Sequence, residues 1–148
     1  MNIQDMIQDR YPHVYERRMS HKVNNFVDRI LQVADCTGCG NQISVSTDGQ
    51  IGVCQGYMGN RKTFNNTVFD LDFDPNSDSV FQEWSMRSSF NMSECYDCPA
   101  LATCGGGCPR NADFMSGSIW HRDEPLCHFA KRAQEYMLWL KYRTLNKC

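Results

Sequence analysis

The residues with the most evident chemistry are the cysteines, of which the chain has nine among 148 residues. Eight lie between Cys36 and Cys127, and most occur in tight C-x2-C and C-x3-C groups rather than spread along the chain. An odd number of thiols, together with an N-terminus without the basic and apolar regions of a secretory signal, disfavours a disulfide framework. Closely spaced thiols in a reducing compartment are instead typical of metal ligands. We therefore predict a cytoplasmic, metal-binding chain.

The densest group places four thiols within fourteen residues, in the spacing Cys95-x2-Cys98-x5-Cys104-x3-Cys108. Iron–sulfur clusters are held by cysteine thiolates, four for each 4Fe-4S cluster, and close spacing lets one loop supply several of them. Three glycines, 105–107, lie between the last two thiols, where they let the backbone approach a cluster and direct N–H groups at its sulfurs. A phosphate-binding loop is the rival use of such glycines. It is disfavoured because Cys108-Pro109 follows where Lys and Ser or Thr would stand.

A β-hairpin is predicted between residues 43 and 53, where apolar and polar residues alternate on both sides of a turn at Thr47-Asp48-Gly49. Gly49 suits a positive φ in such a turn. The hairpin carries Cys39 near its start and Cys54 at its far end. Because antiparallel pairing brings these two ends together, both thiolates are predicted to face one metal site.

Helices are predicted on both sides of the cysteine-rich region. Apolar residues recur at helical spacing over 23–31, and Pro12 separates that helix from a short one near residues 3–8. A last amphipathic helix is predicted over 125–145, with Phe129, Ala133, Tyr136, Met137 and Leu140 on one face. The predicted fold class is small α+β, with a β-hairpin and cysteine-rich loops around two metal clusters, flanked by N-terminal and C-terminal helices.

Shorter elements are predicted between these helices. Residues 65–78 are polar and turn-rich, which favours an edge strand or extended segment. Ser79 with Gln82 three residues later forms a capping box and predicts a short helix. The region 95–108 is predicted to be irregular loop, and Asn111 to cap a short helical turn after it.

The cysteine pattern as a whole resembles a known family. Seven cysteines and one glycine, in the spacing Cys39-x9-Gly49-x4-Cys54, then Cys95-x2-Cys98-x5-Cys104-x3-Cys108, then Cys127, resemble the signature of SPASM domains. These are the C-terminal auxiliary-cluster domains of radical S-adenosylmethionine enzymes that modify peptides and proteins. The resemblance covers residues 36–148 and implies a twin-cluster domain there. Residues 1–35 would form a helical lead-in that resembles the end of the radical enzyme's barrel.

The resemblance also implies how the ligands divide between two 4Fe-4S clusters. Cys36, Cys39, Cys54 and Cys108 would hold the first cluster, and Cys95, Cys98, Cys104 and Cys127 would hold the second. Pro109 agrees with this crossing, because in bacterial ferredoxin motifs the cysteine before proline ligates the other cluster. As an alternative, either Cys36 or Cys39 is a spare, which would leave the first cluster with an open iron for substrate. Cys148 has no partner in the pattern and is expected to be a free surface thiol.

The chain lacks the C-x3-C-x2-C loop and the length that radical catalysis needs, so it is not expected to be catalytic alone. The leading hypothesis is an auxiliary domain of a radical S-adenosylmethionine peptide or protein maturase, serving electron transfer and peptide-substrate engagement. The catalytic domain would act in cis or in trans and would alone bind S-adenosylmethionine. The alternatives are a stand-alone iron–sulfur electron carrier or substrate adaptor, and a structural module with two four-thiolate zinc sites.

Charge and hydropathy limit the other partners. Fifteen Lys and Arg residues against seventeen Asp and Glu give a net charge of −2, which disfavours nucleic acid and anionic membrane surfaces. No apolar run approaches the ~18 residues of a membrane-spanning helix. His121 and His128, which flank Cys127, are expected to be surface histidines rather than ligands because eight thiols are available.

Overall fold

The computed structural model describes residues 10, 11, 13 and 17–146. In this part of the chain, five α-helices and a three-stranded antiparallel sheet form a small α+β fold, which confirms the predicted class at that level. The helices are α1 (Arg17–Val27), α2 (Ser79–Met86), α3 (Leu101–Cys104), α4 (Pro109–Ser116) and α5 (Glu124–Leu145). The strands are β1 (Ser44–Val45), β2 (Gln50–Gly52) and β3 (Asn66–Thr67). The helix predicted near residues 3–8 and the thiol of Cys148 lie outside the described residues.

The predicted hairpin is confirmed by strands β1 and β2, which pair with Ser44 opposite Gly52. Gly49 lies in the connecting turn at φ +79°, the left-handed conformation expected of it. Strand β3 pairs along the other side of β2, so within 65–78 only two residues form the predicted edge strand. Strand β2 is therefore central, and all three of its residues are buried.

Helix α1 is shorter than its apolar pattern predicts. It ends at Val27, because Arg29 takes a left-handed φ of +59° and the N–H of Ile30 donates to the carbonyl of Asn25 at 2.8 Å. These are the features of a Schellman ending, in which free carbonyls of the last turn are satisfied by the chain that leaves it. Ile30 and Leu31, predicted on the apolar helical face, lie beyond the helix and are 54% and 59% exposed.

The main hydrophobic cluster joins the sheet to α2, and its buried members are Ile51, Val53, Cys54, Phe81, Trp84 and Ile119. One predicted ligand, Cys54, is therefore anchored in the core. Helix α5 begins within one residue of its predicted start and ends where predicted. Its buried residues are Ala130, Ala133 and Met137, whereas Phe129, predicted on the same face, is 43% exposed. Of the helices that the structure describes, none has the length and apolarity to cross a membrane.

Helix α2 begins at a different cap from the predicted one. The N-cap is Asp78, whose Oδ1 accepts from the backbone N–H groups of Val80 at 2.9 Å and Phe81 at 3.2 Å. Its Oδ2 accepts from the side chain of Asn66 in β3 at 2.8 Å. The predicted cap, Ser79, is instead the first helical residue. A carboxylate at this end also complements the helix dipole, which favours Asp78 over the neighbouring hydroxyl.

Asp78→Ala is expected to destabilise the protein by about 1–2 kcal/mol, because two N–H groups at the helix start lose their acceptor. Ser79→Ala is the matched control, since it changes the adjacent, exposed residue and should alter stability by less than about 0.5 kcal/mol. Denaturant unfolding followed by far-UV circular dichroism compares the two variants. Equal losses would mean that Ser79 shares the capping role.

Candidate metal centres in two cysteine groups

Four cysteines line one cavity of about 360 Å³, a volume that includes its opening to solvent. These are Cys95, Cys98, Cys104 and Cys127, which we name the second cysteine group. Burial raises the pKa of the Cys95 thiol, and the nearby charges of the other three thiols raise it further. The four sulfurs are thus close enough to interact electrostatically, although Cys127 lies far along the chain from the others. The sequence assigned the same four residues to one cluster through the family resemblance.

Successive turns bring the first three of these thiols to the cavity. The N–H of Cys98 donates to the carbonyl of Cys95, and that of Leu101 donates to the carbonyl of Cys98, both at 3.0 Å. Helix α3 then ends at Cys104, so the prediction of irregular loop was wrong for residues 101–104. Because each turn begins or ends at a cysteine, these three side chains line the same cavity.

Three consecutive glycines follow Cys104. Gly105, Gly106 and Gly107 have φ values of +76°, +79° and +74°, a left-handed run that other residues adopt only under strain. Gly106 and Gly107 line the cavity. Burial raises the pKa of Cys104, and the backbone N–H of Gly106 lowers it. This effect agrees with the expected role of the glycines, which is to direct backbone donors at a sulfur.

The remaining four predicted ligands form the first cysteine group: Cys36, Cys39, Cys54 and Cys108. A hydrogen bond with Cys39 lowers the pKa of Cys36 to about 6, and the same bond raises the pKa of Cys39. Burial raises the pKa of Cys54, the Gly56 N–H at 3.4 Å from its sulfur lowers it, and the charges of Cys36 and Cys108 raise it. These effects link Cys36 with Cys39, and Cys54 with Cys36 and Cys108.

The turn that holds Cys36 and Cys39 packs against the end of strand β2. A Cβ at Gly38 would lie 3.2 Å from the carbonyl oxygen of Val53, so a glycine permits this close approach. Cys54 follows Val53 directly, and its sulfur accepts from the Gly56 N–H at the start of a short 3-10 turn. The predicted meeting of the two hairpin ends thus arises from the strand pairing and from a glycine contact that the spacing did not reveal.

Cys108 enters the first group from the N-terminal end of helix α4. It is the N-cap of that helix, and Pro109 occupies the first turn, so the predicted cap at Asn111 was wrong. Proline suits this position because its missing N–H would have had no partner there. Only three residues lie between Cys104 and Cys108, but Cys104 lines the cavity of the second group and Cys108 does not.

Asp123 connects the two cysteine groups and was not identified as a functional residue by the cysteine pattern. It is 4% exposed, and its Oδ1 accepts from the N–H of Leu126 at 3.4 Å, which caps helix α5 just before Cys127. Its Oδ2 accepts from the N–H of Cys108 at 3.0 Å. An aspartate followed by Glu-Pro at a helix start is a capping signal that could have revealed it. One carboxylate thus binds the backbone at Cys108 of the first group and next to Cys127 of the second.

A buried ion pair ties helix α1 to the same scaffold. The Lys22 Nζ lies 2.8 Å from Asp35 Oδ1, and it also donates to the carbonyls of Thr103 at 3.2 Å and Cys104 at 3.1 Å. A cation at the C-terminal end of α3 is electrostatically favourable. The N–H of Asp35 donates to the Gly105 carbonyl at 2.9 Å. The segment before Cys36 therefore supports the loop that carries Cys104.

The four thiols around the shared cavity match the ligands of a 4Fe-4S cluster in type and in number. Among the described residues, no group of three or more His, Cys, Asp or Glu side chains is arranged to hold a metal ion. The two histidines near Cys127 are exposed. His121 pairs with Glu94 at 2.8 Å.

Compared with models of known protein families, with curated proteins and with solved structures, the chain shows no significant match. The resemblance to SPASM domains therefore rests on the spacing of seven cysteines and one glycine. The geometry of the two cysteine groups is a separate observation, which depends on the fold and not on that resemblance.

Proposed function

We propose that this chain binds two 4Fe-4S clusters and serves as the auxiliary-cluster domain of a radical S-adenosylmethionine enzyme that modifies a peptide or protein. Cys36, Cys39, Cys54 and Cys108 would hold the first cluster, and Cys95, Cys98, Cys104 and Cys127 the second. The catalytic domain, in cis or in trans, would bind S-adenosylmethionine. The shared cavity supports the ligands of the second cluster, and the effects of the thiols on one another's pKa values support those of the first. The radical partner and the peptide substrate are supported by the resemblance in cysteine spacing.

The observation that carries the proposal is the cavity shared by the second cysteine group. Three of its thiols come from consecutive turns, and the fourth, Cys127, comes from the first turn of helix α5. Cysteines that are buried only as small apolar side chains are not expected to lie four together around one cavity. Several turns, a glycine run and a buried helix cap bring these four thiols to one cavity. Four cysteine thiolates are the ligands that one 4Fe-4S cluster takes.

When bound, such clusters accept and release single electrons. The residues of this chain determine how readily they do so. The thiols are partly or fully buried, which limits their contact with water, and backbone N–H groups aimed at sulfur stabilise negative charge. In the first group, the N–H of Gly56 is a donor of this kind, 3.4 Å from the Cys54 sulfur. In the second group, the N–H of Gly106 lowers the pKa of Cys104. Asp123 and Lys22 hold the ligand loops through buried hydrogen bonds, and their role is to position the thiols.

Anaerobic reconstitution with iron and sulfide tests the cluster assignment. Analysis of the desalted protein should give about eight iron and eight sulfide per chain, the content of two 4Fe-4S clusters. Cys148→Ser is the matched control, because that thiol has no place in the ligand pattern and its loss should leave the content unchanged. Stoichiometric zinc without sulfide would instead assign the thiols to structural zinc sites.

A further inference from the structure

Arg87 places a full positive charge in the interior of the protein. It is the C-cap of helix α2 and has no exposed surface. Its guanidinium donates to the carbonyls of Gly107 at 3.1 Å and His121 at 3.2 Å, and also to that of Ile119. These acceptors satisfy its N–H groups but do not neutralise its charge. Arginine stays protonated in proteins, so the interior must supply an anion elsewhere.

No carboxylate within the described part of the chain forms a salt bridge with Arg87. Asp123 is nearby, but its two oxygens accept from the N–H groups of Leu126 and Cys108. Burial lowers the pKa of Arg87, and the charges that oppose this shift are those of Cys39, Cys108, Asp123 and Cys36, in decreasing order. The Gly107 carbonyl that accepts from Arg87 at 3.1 Å directly precedes Cys108, so the guanidinium lies beside a ligand of the first cysteine group. Thiolates of that group are therefore the main anions near it.

The cations near the second cysteine group have carboxylate partners of their own. Lys22, near Cys104, is paired with Asp35, and Arg122, near Cys95, is paired with Glu94 and Glu124. The positive charges beside the second cysteine group are thus already compensated. Arg87 differs because its strongest electrostatic neighbours are potential cluster ligands.

We propose that Arg87 is the buried counter-charge of the first cluster and raises its reduction potential. This inference rests on the proposed binding of two 4Fe-4S clusters. A cluster held by four thiolates is anionic, and reduction adds a further negative charge. The net charge near a cluster and the hydrogen bonds to its sulfurs set its potential, so an adjacent guanidinium stabilises the reduced state. Arg87 is a tuning residue, since it acts on the cluster through its charge.

Redox titration of the reconstituted chain, followed by electron paramagnetic resonance, tests this role. In Arg87→Met, the reduction equilibrium of the first cluster should become at least tenfold less favourable, which is about 59 mV for a one-electron couple. The second cluster should shift by less. Cys98→Ala and Cys54→Ala, each of which removes a ligand of one cluster, identify which signal belongs to which site.

Arg87→Lys separates charge from shape. It keeps the positive charge but loses the planar fork, so the first cluster should assemble with a potential close to that of the unchanged protein. Arg122→Met is the control for removing an arginine near a thiol, and it should leave the reduction potential of the first cluster unchanged.

If Arg87→Met prevents assembly of the first cluster, assembly and potential are measured in Arg87→Lys instead. Failure of both variants to assemble the cluster would overturn the proposal. If neither reduction potential changes in Arg87→Met, or if both change equally, the proposal is also overturned. Absence of iron and sulfide in the unchanged protein would instead refute the proposed function.

Discussion

Cys98→Ala is expected to halve the metal content, to about four iron and four sulfide per chain, while the spectrum of the remaining cluster persists. The expectation follows from the separation of the ligands into two groups with no shared thiol. Cys98 belongs to the group around the second cavity and closes a turn with Cys95 through a backbone bond of 3.0 Å. Alanine keeps that backbone bond and removes only the sulfur, so the neighbouring turns retain their path.

Cys54→Ala is the reciprocal experiment for the first group. It should also leave about four iron per chain. The remaining signal should differ from that of Cys98→Ala, because Cys54→Ala keeps the second cluster and Cys98→Ala keeps the first. Iron and sulfide analysis with electron paramagnetic resonance distinguishes the two. Loss of both clusters in Cys98→Ala would show that the sites assemble as one unit. The bridge through Asp123, which bonds to Cys108 and caps the helix of Cys127, is the contact through which such coupling would act.

The hairpin, the small α+β class and the C-terminal helix were predictable because they depend on local signals. Alternating residues around Gly49 define the hairpin, and an apolar stripe defines α5 almost to the residue. The end of α1 was not predictable from periodicity, because a non-glycine residue, Arg29, takes the left-handed conformation that stops the helix. The cap of α2 was mistaken for the same kind of reason: two adjacent residues can both cap, and the contact of Asp78 with Asn66 in β3 is tertiary.

For the candidate site, the spacing supplied the thiols but not the residues that support them. The eight cysteines are recognisable because thiols are rare and their intervals are short. Arg87, by contrast, stands in a sequence that resembles any polar helix end, and only the fold shows that its surface is fully buried. Lys22 and Asp35 are equally inconspicuous, since their pairing spans thirteen residues and depends on α1 lying against α3. The burial of a charged side chain can be identified only from the folded structure, because it depends on residues that are distant in sequence.

Gly105→Ala is expected to destabilise the protein by about 2–5 kcal/mol and to reduce the iron content of both clusters. A left-handed residue with a Cβ costs about 1–2 kcal/mol, and forcing extra atoms into a packed site costs about 1–3 kcal/mol more. Its Cβ would lie 2.4 Å from the N atom of Asp35, a backbone atom that cannot rotate away. The chain would have to shift beside Cys36 of the first group and Cys104 of the second.

Gly117→Ala is the matched control, because Gly117 also ends a helix in the left-handed conformation but has nothing within 4 Å of a Cβ. At φ +77° it shares the backbone strain of Gly105, at φ +76°, and lacks the collision. It should cost about 1–2 kcal/mol and leave the iron content unchanged. Anaerobic thermal unfolding and iron analysis compare the two, and Gly105→Ala should lower the unfolding midpoint at least twice as far. Equal effects would show that backbone strain alone accounts for the loss. A larger effect at Gly105, with iron lost from both groups, would mean that the contact with Asp35 holds the two cysteine groups in one scaffold.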